Sequence, residues 1–422
     1  MRQRRRRRSI DTGAGRQDTG AGAAGGAGLL GWARKHIVGG IIGAALVASV
    51  SAWLGGFFDS ALRDILPSGA DTFCAFRETV EHRWPFADPP AASDRFKILI
   101  ATIDRDDADR TYTRAVARAF LKQDGIDRAE TCRVLRLSGV GRGAGMEAAA
   151  IARELLQRRR ADLLIGGELL KKDEAVNLWF VAKDTGQGFE ATAFRLDANL
   201  LKQDFVQAAS TQLQGVALAA IKPATEESGK YLVGILKPVA ERLQHLLKDA
   251  TGFSQMQRAE LQHALGLVLG VVGEQGGDKQ ALIDATMAFR AALKEWTRQR
   301  VPLQWAMAQN NLGTALMRLG ERESGSERLM EAVAAYRAAL TEYTRERVPL
   351  HWALTQENLA IVFQILATRA AGEARKARLA EALAAVDDAL AVYREGAAAY
   401  YIEKAALLRA AILAEQRRVP AR

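Results

Sequence analysis

The apolar positions of this chain change rhythm three times. The opening stretch, MRQRRRRRSIDTGAGRQDTGAGAAGGAG, holds almost none and is rich in Arg and Gly. It cannot bury a core, so residues 1–36 read as a disordered basic tail. Then IVGGIIGAALVASVSAWLGGFF, Ile37–Phe58, runs for 22 residues without a charge. At 1.5 Å per residue it reaches about 33 Å, enough for a hydrocarbon layer of roughly 30 Å. It has no amphipathic stripe. Trp32 lies before it, and Trp53, Phe57 and Phe58 lie near its far end, where interfacial aromatics belong. The segment reads as a transmembrane helix; a signal peptide cleaved near Ser49-Val50-Ser51 is the rival, although the apolar run continues past that point. Residues 59–93 form a juxtamembrane linker, closed by Pro85, Pro89 and Pro90.

The second rhythm mixes short apolar runs with helical stripes. FKILIATI (Phe96–Ile103) has strand length. Asp107–Gly125 reads as a helix with Tyr112, Val116, Ala119 and Phe120 on one face, ended by Gly125. CRVLRL (Cys132–Leu137) is a second strand, MEAAAIARELLQRRR a second helix, and ADLLIGGELL a third strand. VNLWFVA, the turn DTGQG and FEATAFRL predict a hairpin, and a helix near Leu200–Ile221 completes an α/β domain with a mixed sheet over residues 94–222.

The third rhythm is helical from residue 228 to 422, and it repeats. RVPLQWAMAQNNLG (Arg300–Gly313) returns as RVPLHWALTQENLA (Arg347–Ala360), with nine of fourteen positions identical at an offset of 47. AFRAAL at Ala288 returns as AYRAAL at Ala335 with the same offset, and Leu265-Gly266 and Gly273 are earlier echoes of Leu312-Gly313 and Gly320. A fixed period means stacked units, none of which buries its apolar face alone. In the middle unit helix A is expected near Gln304–Leu319 and helix B near Ser326–Arg345, with Gly320 breaking between them and Pro349 stopping helix B. A third helix B, Glu381–Tyr393, aligns at an offset of 50, and Ala397–Gln416 would cap the stack.

Two resemblances follow from these motifs. KILIATIDRDD, ARELLQRRRADLLIGGEL and NLWFVAKDTGQG resemble the amino-terminal domain of TolB-like bacterial proteins, which implies a domain that binds a partner. The helical half resembles a tetratricopeptide repeat. Asn311-Leu312-Gly313 matches that family's N-L-G, Leu316 its helix-A aromatic position, Gly320 its turn glycine, and Ala332, Tyr336 and Ala339 its helix-B packing positions. The family's unit is about 34 residues, so a period of 47 is a departure. The longer A–B loop and longer second helix are expected to hold the excess.

Composition refines this picture. The net charge is +10, but up to Lys35 eight Arg and one Lys stand against two Asp, which leaves the rest about +3. That is not a basic nucleic-acid-binding fold, and no aromatics interleave with Arg4–Arg8. Nine basic residues precede the apolar span, while only Arg63 and Arg77 lie among the next 20. The positive-inside rule then puts the N-terminus in the cytoplasm and the remainder in the periplasm, anchored to the inner membrane by one helix. Cys74 and Cys132 permit one disulfide or two thiols; their spacing fits neither a redox nor a zinc motif.

Candidate chemistry is thin. IDRDDAD holds Asp104, Asp106, Asp107 and Asp109 at the carboxyl end of the first strand, which suits a Mg²⁺ site or, more simply, a helix cap by Asp107 or Asp109. Gly139, Gly141 and Ala144 fit G-x-G-x-x-A between a strand and a helix, a phosphate-binding pattern. The five His are scattered, and HExxH, GxSxG and P-loop motifs do not occur. The chain therefore reads as a non-enzymatic scaffold without cofactor or metal, one that binds a protein or peptide partner. The alternative is a sensor or enzyme whose α/β domain takes a nucleotide. The tetratricopeptide resemblance implies a concave partner-binding face of Met307, Asn310, Asn311, Thr314 and Arg318 in one unit and Glu357, Asn358, Ile361 and Gln364 in the next. Asn311 and Asn358 lie one period apart; they would contact an extended chain or bridge repeats. Trp305, Gly313, Gly320, Tyr336 and Trp352 are expected to hold the repeats together.

Overall fold

A computed structural model describes residues 95–106, 110–120, 125–135, 151–170, 175–182, 194–197, 206–220, 232–248, 253–396 and 399–418, and all of them belong to one compact unit. The tail, the apolar segment Ile37–Phe58, the linker, Cys74, the Cys132 side chain and the glycine loop at Gly139–Gly145 lie outside the described residues. Among the described residues no helix is long and apolar enough to cross a membrane.

The unit is mostly helical and carries a small mixed sheet. In chain order its first half comprises β1 (Phe96–Thr102), α1 (Thr111–Ala119), β2 (Ile126–Val134), α2 (151–159), β3 (Leu163–Leu170), β4 (Ala175–Ala182), β5 (Phe194–Asp197) and α3 (Val206–Ala220). The sheet order is β2-β1-β3-β4-β5. β1 runs parallel to β2 and β3, while β3–β4 and β4–β5 are antiparallel. Both faces are covered, so the central strands read as continuous apolar runs. Ile98, Ile100, Leu178 and Phe180 face α1 and α3; Leu99, Ala101, Trp179 and Val181 face α2. Gly166 pairs with Trp179 across the β3–β4 ladder, and a Cβ at 166 would fall inside the indole.

Helix α3 serves both halves of the unit. Its Gln214 side chain donates to the carbonyl of Ala119 and accepts from Arg242, at 2.9 Å, on the next helix. At Gly215 a Cβ would stand 2.9 Å from Val268 of the array. One apolar core thus continues from the sheet into the helices.

The array contains α4 (Val233–Lys248), α5 (Gln255–Gln275), α6 (Lys279–Glu295), α7 (Pro302–Glu321), α8 (Glu327–Ala339), α9 (Pro349–Thr368), α10 (Gly372–Glu395) and α11 (Ala399–Arg417). Helices α5, α7 and α9 start at 255, 302 and 349, one period apart. The backbone repeats as well: Val301 and Val348 precede their helices with φ −143° and ψ 69° in both places. Pro302 and Pro349 occupy the first helical turn, where the missing N–H costs nothing. Pro349 therefore starts a helix; it does not stop one. Helix B of the middle unit ends at Ala339, short of the expected Arg345. There the backbone N–H groups of Thr341 and Glu342 donate back three residues, and the Thr341 hydroxyl donates to the Ala338 carbonyl. In this middle unit the extra length sits in helix A and in the connection from Leu340 to Val348, whereas the second helices of the neighbouring hairpins, α6 and α10, are 17 and 24 residues long.

Glycines set the hairpin spacing. A Cβ at Gly266 would stand 2.6 Å from the Phe289 ring, and one at Gly313 would stand 2.8 Å from the Tyr336 ring. Gly273 and Gly320 make room in the same way for Leu282 and Leu329. In the third hairpin alanines occupy the glycine positions, as Ala360 and Ala367, and Val386 takes the aromatic position at an offset of 50. Ala360 and Val386 are fully buried.

Candidate functional site

Two columns of side chains run through the array at repeat spacing. The first is aromatic: Trp296 and Tyr343 follow their B helices, Tyr393 lies in the last turn of α10, and all three are buried. Tyr343 gathers Trp305, Val348 and Trp352 around it with Ala306 and Ala339. Trp305 and Trp352 thus do pack between successive units, half-buried, and the residue at the centre is Tyr343. The second column is polar: His263, Asn310, Glu357 and Lys404 lie 47 residues apart in succession. Asn311 Nδ2 lies 3.0 Å from His263 Nε2, and Thr355 donates to Asn310 Oδ1 at 3.1 Å. Tyr393 donates to Glu357 at 2.8 Å, and Lys404 Nζ reaches the other Glu357 oxygen at 3.2 Å.

Burial pushes the His263 pKa down to about 3. A neutral ring with Nε2 unprotonated can accept from Asn311, and it packs in tilted contacts against Phe289 and Trp296 at centroid distances of 5.6 and 5.0 Å. Burial also pushes the Tyr336 phenol up; its hydroxyl lies 3.0 Å from Thr314 Oγ1. His263–Asn311, Asn310–Thr355 and Glu357–Lys404 join one unit to the next, whereas Tyr336–Thr314 and Tyr393–Glu357 close single hairpins, so the buried polar groups are paired both across and within repeats.

The first two A helices leave a cleft of about 200 Å³ between them. Its polar wall is Asn311, Thr314 and Arg318 of α7, with Glu274 of α5; its floor is Gly266, Gly270, Val271 and Phe289. Arg318 is held at 2.7 Å by Glu274 and at 3.2 Å by Glu321, so its guanidinium charge is offset within the wall. Thr314 also donates to the carbonyl of Asn310 at 3.2 Å. Gly270 differs from the neighbouring glycines: a Cβ there would meet nothing within 4 Å. A mid-helix glycine is destabilising by roughly 0.5–1 kcal/mol relative to alanine. Gly266 and Gly273 are explained by Phe289 and Leu282, but Gly270 faces only the cleft.

The sequence-based face divides along these lines. Asn311, Thr314 and Arg318 meet in the cleft, and Asn310 sits just behind them, bonded to Thr355. The next unit does not continue the trough. Glu357 is 2% exposed and engaged by α10 and α11. Gln364 donates to Glu415 of α11 at 2.6 Å. Asn358 and Ile361 are half-buried on the same helix. Sequence reading missed Gly270, His263 and the aromatic column; Trp296 and Tyr343 were visible as KEWTRQRVPL and TEYTRERVPL, which share the 47-residue offset.

At the sheet, Asp106 caps α1. Its carboxylate accepts from the backbone N–H of Tyr112 at 3.1 Å and of Thr113 at 2.8 Å, and from the Thr113 hydroxyl at 2.6 Å. Asp104 is buried and forms a bridge to Glu168 through the backbone. The cap therefore comes from Asp106; Asp107 and Asp109 lie outside the described residues. Among the described residues no three or more His, Cys, Asp or Glu side chains converge as a metal site.

No family model matches this chain, and neither a curated protein nor a solved structure matches it.

Proposed function

We propose that the protein is a membrane-anchored scaffold that binds an extended peptide in the α5–α7 cleft of a tetratricopeptide-like solenoid. On this reading Ile37–Phe58 is the anchor in a bacterial inner membrane, the tail is cytoplasmic, and the TolB-like sheet domain and the array work in the periplasm without cofactor or catalysis. The observation that carries it is Gly270, an unpacked glycine inside a helix, opposite a wall of amide, hydroxyl and guanidinium groups. An amide and a hydroxyl can pin a backbone by both donor and acceptor. The small apolar floor accepts a side chain. Nucleotide binding has less support, because Asp106 is already used as a helix cap.

Gly270→Leu tests this. It fills open space and improves helix propensity by about 1 kcal/mol. Peptides selected from a random display library against the full chain should bind the variant about tenfold more weakly, a loss of about 1.4 kcal/mol. The melting temperature should hold or rise. Equal affinity for both chains contradicts the assignment.

A further inference from the structure

The outer face of α11 is not that of a cap. Tyr401, Ala405 and Ile412 point into the array and are buried, while Ala406, Leu407, Ala410, Ala411 and Ala414 form an exposed stripe on the other side. Leu407, 68% exposed, is the most exposed large hydrophobic side chain among the described residues. A helix face that is to stay solitary in water is polar. This face instead carries an apolar centre with unlike ends: exposed Glu403 beside Lys404, whose ammonium is paired with Glu357 of the inner side, at one end, and exposed Arg417 and Arg418 at the other.

A face so marked is complementary to itself when turned end for end. With a two-fold axis between positions 410 and 411, Ala410 meets Ala411, Leu407 meets Ala414, and Glu403 meets Arg418. Each Leu407 enters the hollow formed by Ala410, Ala411 and Ala414 of the other copy, and the alanines let the axes approach closely. Lys404 would face Arg417, but its ammonium is drawn toward Glu357 on the inner side. A parallel alignment would set Glu403 against Glu403 and Arg418 against Arg418. Exposed charge pairs add little affinity, but they select the direction. Such a two-fold contact is closed, so assembly stops at two copies. We propose that the chain forms an antiparallel dimer through this stripe of α11.

Single cysteines in the full chain read the arrangement, with Cys74 and Cys132 replaced by serine. Ala411→Cys, or Ala410→Cys as a second probe, should form an intermolecular disulfide under mild oxidation. Its rate should exceed that of Ala384→Cys, an exposed position on α10, by about an order of magnitude, because paired faces raise the effective concentration. Glu403→Cys should link poorly to itself and readily to Arg418→Cys when the two chains are mixed. Adding Leu407→Asp, a change on an exposed side chain, should remove the fast reaction. If both central probes link no faster than Ala384→Cys while the helical circular dichroism is retained, the dimer is wrong. If Glu403→Cys self-links faster than the mixed pair, the antiparallel direction is wrong.

Discussion

The second hairpin, α7–α8, and the third, α9–α10, begin with the same backbone and solve their packing differently. In the second, Gly313 lies under the Tyr336 ring. In the third, Ala360 and Val386 occupy those positions, and both are fully buried. The trade compensates in part: a methyl appears at the small position where the ring is lost. Their polar positions differ too. Asn310 is a neutral link beside an open cleft, whereas Glu357 is a buried carboxylate under α11. A shared repeat therefore fixes where helices go, but not which part of the concave wall stays open. The free wall lies at α5 and α7, while the closing helix covers part of α9.

The largest effect that sharpens this contrast is at Tyr336. Its side chain is fully buried, so Tyr336→Ala should cost about 3–5 kcal/mol in denaturant unfolding. Val386→Ala, the matching change in the third hairpin, should cost less. Next comes the exchange itself. Gly313→Ala alone should destabilise by about 1–3 kcal/mol, because the ring must move. Gly313→Ala in a Tyr336→Val background should cost much less, a coupling of about 0.5–3 kcal/mol in a double-mutant cycle. Additive losses would break the comparison.

A smaller effect depends on pH. The folded pKa of His263, about 3, lies below the ordinary value of 6.5. The unfolded chain therefore binds the extra proton between those values, and stability is lost as pH falls below 6.5. From pH 7.5 to 5 the full chain should lose about 2 kcal/mol through this residue, at 1.36 kcal/mol per pH unit below 6.5. His263→Gln should be less stable at pH 7.5 and should lack that part of the slope. The smallest effect belongs to the exposed ion pairs that repeat along the B helices. Arg290 and Arg328 meet Glu331, and Arg337 and Arg378 meet Glu381. Arg337, with its side chain 62% exposed and 3.4 Å from Glu381, should cost at most about 1 kcal/mol when changed to Ala, and less in high salt.

Much of this architecture was legible in the sequence. The 47-residue echo placed the hairpins because it repeats both the proline that opens each A helix and the small residues that set spacing. The order of strands and helices around the sheet followed from continuous apolar runs that only a doubly covered sheet requires. Where reading slipped, a physical cause is visible. β2 was expected at Cys132–Leu137 and lies at Ile126–Val134, because an edge strand with one neighbour tolerates IDRAETCRV, a polar run without a strand signature. Helix B was drawn too long because its last turns tighten around Thr341, which periodicity does not report. The extended trough was overdrawn because nothing in Glu357 or Gln364 announces that a helix 40 or more residues later will lie over them. Gly270 was overlooked because a glycine needed for packing and a glycine facing open space look alike in a string of letters.

The central claim is that binding is confined to the α5–α7 cleft. Gly270 and Gln364 occupy equivalent positions two periods apart on α5 and α9. Affinities of one selected peptide for the full chain, for Gly270→Leu and for Gln364→Leu test the claim most directly. The account predicts about a tenfold loss for Gly270→Leu and little change for Gln364→Leu. Equal losses, or a loss confined to Gln364→Leu, would contradict it.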